Sequence, residues 1–224
     1  MDNISQTEEN YLKAIYKISE QSGAKASTNA IAADMNTSAA SVTDMIKRLN
    51  EKSLVLYESR RGVSLTAEGL RIATELIRKH RLWEVFLVEK LRFSWDEVHD
   101  IAEQLEHIKS EELVKRLDTY LAYPKFDPHG DPIPDADGNF TFRKQAPLAE
   151  SKVGDKVIVV GVQDHAPTFL QYLDRLQLGL GAQLEILDYH EYDGSMKVRL
   201  KNEGEETLSR KVSEHLLVQK QQKT

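Results

Sequence analysis

Apolar positions recur at helical spacing from residue 5 to 21, where Tyr11, Leu12, Ile15, Tyr16 and Ile18 share one face. Ser5 followed by Glu8 has capping-box spacing, and Gly23 ends the run. A short helix is predicted over 27–35, with Ile31, Ala32 and Met35 inward. A turn follows at 36–38, then a helix over 39–52 with Val42, Met45, Ile46 and Leu49 as its apolar stripe. Leu54–Tyr57 and Val63–Leu65 read as two short strands joined through Glu58–Gly62. Helix, helix–turn–helix, then hairpin is the order of a winged helix. Thr66 caps a long helix to about Leu91, and further helices are predicted over 95–107 and 111–122.

The pattern then changes. Residues 124–151 carry five of the six prolines (Pro124, Pro128, Pro132, Pro134, Pro147) with Gly130 and Gly138, as an irregular connector does. Beyond it, β-like runs at 156–162, 183–187, 196–200 and 207–212, with a short helix at 168–176, predict a small β-barrel of SH3 type.

Net charge is −6, which opposes a general affinity for nucleic acid unless basic charge is local. From Asn36 to Thr66 five basic residues face three acidic ones, opposite in sign to the whole chain. In a helix–turn–helix the second helix enters the major groove. Its N-terminal part here is Thr37, Ser38, Ala39, Ala40, Ser41, Thr43 and Asp44, small and hydroxyl residues that permit close approach. Lys47 follows one turn later, and Arg60 and Arg61 sit at the hairpin tip. The bland alternative is a solvated face and an ordinary turn.

With no cysteine, any metal site must use imidazole and carboxylate, donors that suit Mn(II), Fe(II), Co(II) or Zn(II). His80 and Glu84 share a face of the long helix, and His99, Glu103 and His107 follow at i, i+4 and i+8, with Glu106 beside them. The alternative is a polar helix face carrying histidines by chance. Helical di-iron sites use Glu-x-x-His pairs, which this spacing does not supply. No nucleophile triad or phosphate loop is present, so the chain reads as a non-enzyme. No leader or membrane-spanning run is apparent, which leads to the expectation of a cytoplasmic protein that engages no membrane and no small-molecule substrate.

The segments TEENYLKAIYKI, SAASVTDMIKRL, LTAEG, RKHRLWEVFL, VHDIAEQLEHIKSEEL and GDPIP together resemble the diphtheria-toxin-repressor family of metal-dependent regulators across nearly the whole chain. The resemblance implies a mainly α fold with a C-terminal SH3-like barrel. It divides the chain into a winged helix-turn-helix (1–73), a helical metal-binding and dimerisation domain (74–123), the connector (124–151) and an SH3-like domain (152–224). It implies an ancillary metal site from His80, Glu84 and His99, joined by the barrel near Asp164 and His165, and a regulatory site from Asn10, Glu103, Glu106 and His107. Iron-responsive members are similar but carry cysteine at position 103 and methionine at position 10, and manganese-responsive members carry carboxylates at both. Glu103 thus leans toward Mn(II), while Asn10 departs from either pattern. Lys13, where short manganese regulators have a second carboxylate, argues against a binuclear cluster of their kind. The expected function is a homodimeric repressor on a double-stranded palindromic operator, with Mn(II) or Fe(II) as corepressor and Zn(II) or Co(II) as substitutes in vitro. The competing reading is a winged-helix regulator that senses a small organic ligand independently of metal.

Overall fold

The computed structural model describes residues 4–58, 61–201 and 204–221. Arg60, predicted at the hairpin tip, lies outside the described residues. The chain forms two compact units, one of residues 1–80, 103–115 and 134–140, the other of 81–102, 116–133 and 141–224.

The first unit opens with α1 (Gln6–Ser22), whose capping box from Ser5 and Glu8 is formed and whose C-cap Gly23 is left-handed at φ 62°. Next come α2 (Thr28–Asp34) and α3 (Ala39–Glu51), each with a serine N-cap. Asn36 takes the left-handed backbone, at φ 48°, that turns one into the other. The antiparallel hairpin β1 (Val55–Glu58) and β2 (Gly62–Leu65) completes the winged helix. Thr66 caps α4 (Ala67–Glu89), as its spacing predicts, by accepting from the Gly69 amide. Any side chain at Gly69 would meet the Leu54 carbonyl at 2.0 Å, which explains the glycine of LTAEG. Leu12, Ile15, Ile31, Val42, Leu49 and Val63 are fully buried together, each contributing about 1.5–3 kcal/mol. This core fixes which face of α3 points outward.

Helices α5 (Val98–Leu105) and α6 (Glu111–Tyr120) have residues in both units, as does α4. The predicted start of α5 at residue 95 is three residues early. Trp95 instead sits in the apolar core of the second unit, its indole N–H donating to Asp174 at 3.0 Å.

The second unit is built on one six-stranded antiparallel sheet, ordered β3 (Ala146–Pro147), β8 (Leu216–Lys220), β4 (Lys156–Val162), β5 (Gln183–Tyr189), β6 (Met196–Leu200), β7 (Gly204–Leu208). Bulges at Val159/Gly161 and Ile186/Asp188 bend its central strands. Helix α7 (Pro167–Arg175) covers the core with Leu170 and Leu173. The strand expected over 207–212 is corrected: β7 ends at Leu208, Ser209 caps α8 (Arg210–His215), and the last strand is β8.

Candidate metal centres and nucleic-acid interface

In the first unit, α1 presents Glu9 and Lys13 to the segment 103–107. Lys13 Nζ donates to Glu103 Oε1 at 2.7 Å and to Glu106 Oε1 and Oε2 at 2.7 and 2.9 Å. Glu106 is fully buried, and His80 Nδ1 lies 2.6 Å from its Oε2. His107 Nδ1 is 2.7 Å from Glu9 Oε2. The Oδ1 of Asn10 is buried without a hydrogen-bond partner. The structure therefore gathers His80, Glu103, Glu106 and His107. His80 offers its Nδ1 to Glu106. Donor atoms of His80, Glu103 and Glu106 lie within 4.8 Å of one another.

A second cluster lies wholly in the second unit. Glu84, Asp127 and His129 are all buried, with donor atoms within 4.8 Å of one another. The loop carrying the latter two is tightly held. Asp127 Oδ1 accepts from the amides of His129 (2.8 Å) and Asp131 (2.9 Å). Gly130 sits at φ 92°, where a Cβ would stand 2.3 Å from the Val160 carbonyl. Arg143 stacks on Phe126 at 3.9 Å and donates to the Gly130 and Val160 carbonyls.

The Trp95 carbonyl fixes one proton of His129. Its Nε2 is 2.8 Å from the Trp95 carbonyl, which can only accept, so Nε2 carries a proton. Its Nδ1 is buried without a hydrogen-bond partner, 3.7 Å from Glu84 Oε2. His99 Nδ1 stands 3.6 Å from the other oxygen of Glu84. These separations are too long for hydrogen bonds. Two donors each about 2.1 Å from one ion stand roughly 3–3.6 Å apart, so a small contraction brings these atoms into coordination. A ligating histidine characteristically donates its other N–H to a carbonyl, as His129 does.

The electrostatics agree. Burial raises the Asp127 carboxyl well above the usual carboxylate range, and the charges of Glu84 and Asp131 raise it further. Burial works against charge on His129, yet Glu84 and Asp127 lift it to about 9. Burial lowers His165, whose ring stacks on His129 at 4.7 Å. Carboxylates crowded in a dry pocket around an imidazole are stabilised by a cation, and an all-oxygen-and-nitrogen donor set suits Mn(II), Fe(II) or Zn(II). The residues fit a divalent metal. The Asp164 carboxylate accepts from the Ala166 amide at 2.9 Å, in the turn between β4 and α7.

Asp127 and His129 escaped the sequence reading because they lie in the proline-rich connector. Their signal was the run DPHG: a histidine and an acid in a loop that glycine and proline hold rigid.

On the winged helix, Thr37, Ser38, Ala39, Ala40 and Ser41 are exposed at the start of α3. Ser38 Oγ accepts from the Ser41 amide, and half-buried Thr43 donates to the Ala39 carbonyl at 2.8 Å. Lys47 and Asp44 are exposed and 3.4 Å apart, and Arg61 projects with its side chain 80% exposed. This face has the small side chains, hydroxyls and exposed cations that groove binding uses.

A winged helix and carboxylate–imidazole centres in one chain define a metal-responsive DNA-binding regulator. The chain matches the iron-dependent repressor models for the N-terminal DNA-binding domain (residues 3–63) and the metal-binding and dimerisation domain (66–135), and a FeoA domain model (146–220). It is 31% identical to the iron-dependent repressor IdeR of Mycobacterium leprae, over 79% of this chain and 80% of that one. It is 30% identical to the diphtheria toxin repressor of Corynebacterium diphtheriae, over 84% and 87%. A solved manganese-dependent transcriptional repressor in complex with manganese superposes with a TM-score of 0.84 at 35% identity, over 96% of this chain and all of that one. The chain belongs to the iron-dependent repressor family.

Proposed function

We propose that this protein is a metal-dependent transcriptional repressor, with Mn(II) or Fe(II) as its corepressor, and not an enzyme. It acts in the cytoplasm as a homodimer on a palindromic operator, because the two-fold symmetry of a dimer is mirrored in its site. The observation that carries the reading is His129, with Nε2 committed to Trp95 and a buried Nδ1 that has no hydrogen-bond partner, 3.7 Å from Glu84 beside Asp127. Glu84, Asp127 and His129 would hold the metal, with His99 reaching the same carboxylate from α5. Asp164 and His165 remain the candidates from the barrel. When bound, the ion supplies positive charge that draws these donors together.

The contribution of the chain is to hold the donors in place. Asp127 is fixed by two backbone amides, and His129 is oriented by a carbonyl. Metal favours the DNA-binding form only as far as it binds that form more tightly. Ser38, Ser41 and Lys47 with Arg61 then contact operator phosphates and base edges, alongside Thr37, Ala39, Ala40, Thr43, Asp44 and Arg60. The reading is tested by nuclease footprinting on the protein's own promoter. Metal-loaded protein should protect a two-fold symmetric site, and chelator should remove the protection. Protection of no DNA in any metal would sink it, and protection unchanged by chelator would remove metal from the mechanism.

A further inference from the structure

In the first-unit cluster a cation is seated among the carboxylates themselves, whereas in the second the Arg81 guanidinium touches only Asp127, at 3.5 Å. The Lys13 ammonium has three N–H donors, and three carboxylate oxygens stand at 2.7, 2.7 and 2.9 Å from its nitrogen. Its side chain is 18% exposed, and that of Glu106 is 0% exposed. An ion ligated by these oxygens would sit about 2.1 Å from each. It would then lie against the ammonium nitrogen, two like charges in a poorly solvated place. Lys13 must leave before the ion can enter. The sequence adds to this bias: Asn10, about one turn before Lys13 on α1, is a neutral amide, so α1 brings no negative charge at that position.

We propose that Lys13 is a built-in cation that occupies the Glu103–Glu106 centre in place of a metal, so that this chain takes up one divalent ion per protomer, at the Glu84–Asp127–His129 centre. Lys13 then does by itself what an ion would do there: it ties α1 of the winged helix to the segment 103–107. Glu9 and His107 form a second tie across the same pair of elements. That part of the DNA-binding unit is held together before metal arrives, and the metal response is left to the other centre. The inference rests on the proposed metal dependence, but it concerns how many ions bind and where.

The test is Mn(II) stoichiometry, read by electron paramagnetic resonance of unbound Mn(II) during titration of the full chain. Wild type should bind one ion per protomer. Lys13→Gln, which removes the charge and keeps a polar side chain one atom shorter, should bind two, the added ion at least tenfold more tightly than any second ion in wild type. A second pair of variants guards against a misfolded Lys13→Gln protein. Glu84→Ala with His129→Ala should abolish tight binding while Lys13 is present, and Lys13→Ala on that background should restore one ion. Two ions of similar affinity in wild type would overturn the proposal and leave the repressor reading intact. So would a folded Lys13→Gln protein that gains no ion. A wild type that binds no ion would overturn the proposal together with the metal dependence on which it rests.

Discussion

Removing one partner of the Lys13–Glu106 pair is the perturbation whose size the structure determines best. Breaking a buried pair costs about 3–5 kcal/mol, because the remaining charge is left without its partner. Two features reduce that figure for Glu106→Gln. Lys13 keeps Glu103, and it is 18% exposed and can turn to water. We expect about 1–3 kcal/mol. Lys13→Met is expected to cost about 3 kcal/mol, at the lower end of the range for a broken buried pair, because fully buried Glu106 retains His80 at 2.6 Å and His107 at 3.8 Å. The double variant removes both charges, and its cost should fall short of the sum by at least about 1.5 kcal/mol. Residues in contact typically couple by about 0.5–3 kcal/mol, and independent sites add within about 0.5. The assay is urea unfolding followed by far-ultraviolet circular dichroism in excess chelator, so that no metal contributes. Additivity within about 0.5 kcal/mol would refute the view that this contact is a dehydrated ion pair.

Three other outcomes follow from particular residues. Gly130→Ala, which places a Cβ 2.3 Å from the Val160 carbonyl at a φ of 92°, should displace the Asp127–His129 loop. Calorimetric titration should show Mn(II) affinity lost while the helical signal of the winged helix persists. His129 is raised to about 9, so it is protonated at neutral pH and metal must displace that proton. Apparent affinity should fall as pH drops below about 9, by up to about tenfold per unit for one proton, and a flat profile between pH 6 and 8 would contradict this. Lys47→Ala should weaken operator binding evenly across sequences, and the slope of log affinity against log salt should shrink by about 1.

What could be read from sequence was what is local. Ser5–Glu8, Ser38 and Thr66 each sit where a cap must be, and the apolar stripes of α1 and α3 follow from spacing alone. His80, Glu84, His99 and Glu103 were visible because i+4 spacing places groups on one helix face, and Glu106 and His107 follow in the turn just past the end of α5. Which donor meets which was not visible. That His80 turns to Glu106 depends on how distant segments pack, as does the approach of Asp127 and His129 to Glu84. The 207–212 error has a local cause: a serine cap and a six-residue helix are too short to show helical periodicity, and Val212 imitated a strand. Lys13 was recognisable as a departure, but its three carboxylate contacts lie 90 and 93 residues away in the chain.

The most direct test of the central claim is operator affinity by fluorescence anisotropy at fixed salt, metal-free and with Mn(II), for wild type and His129→Ala. The account predicts that Mn(II) tightens wild-type binding at least tenfold, about 1.4 kcal/mol of coupling, and leaves His129→Ala unchanged. Equal affinity of metal-free and Mn(II)-loaded wild type, or a full Mn(II) response in His129→Ala, would contradict it.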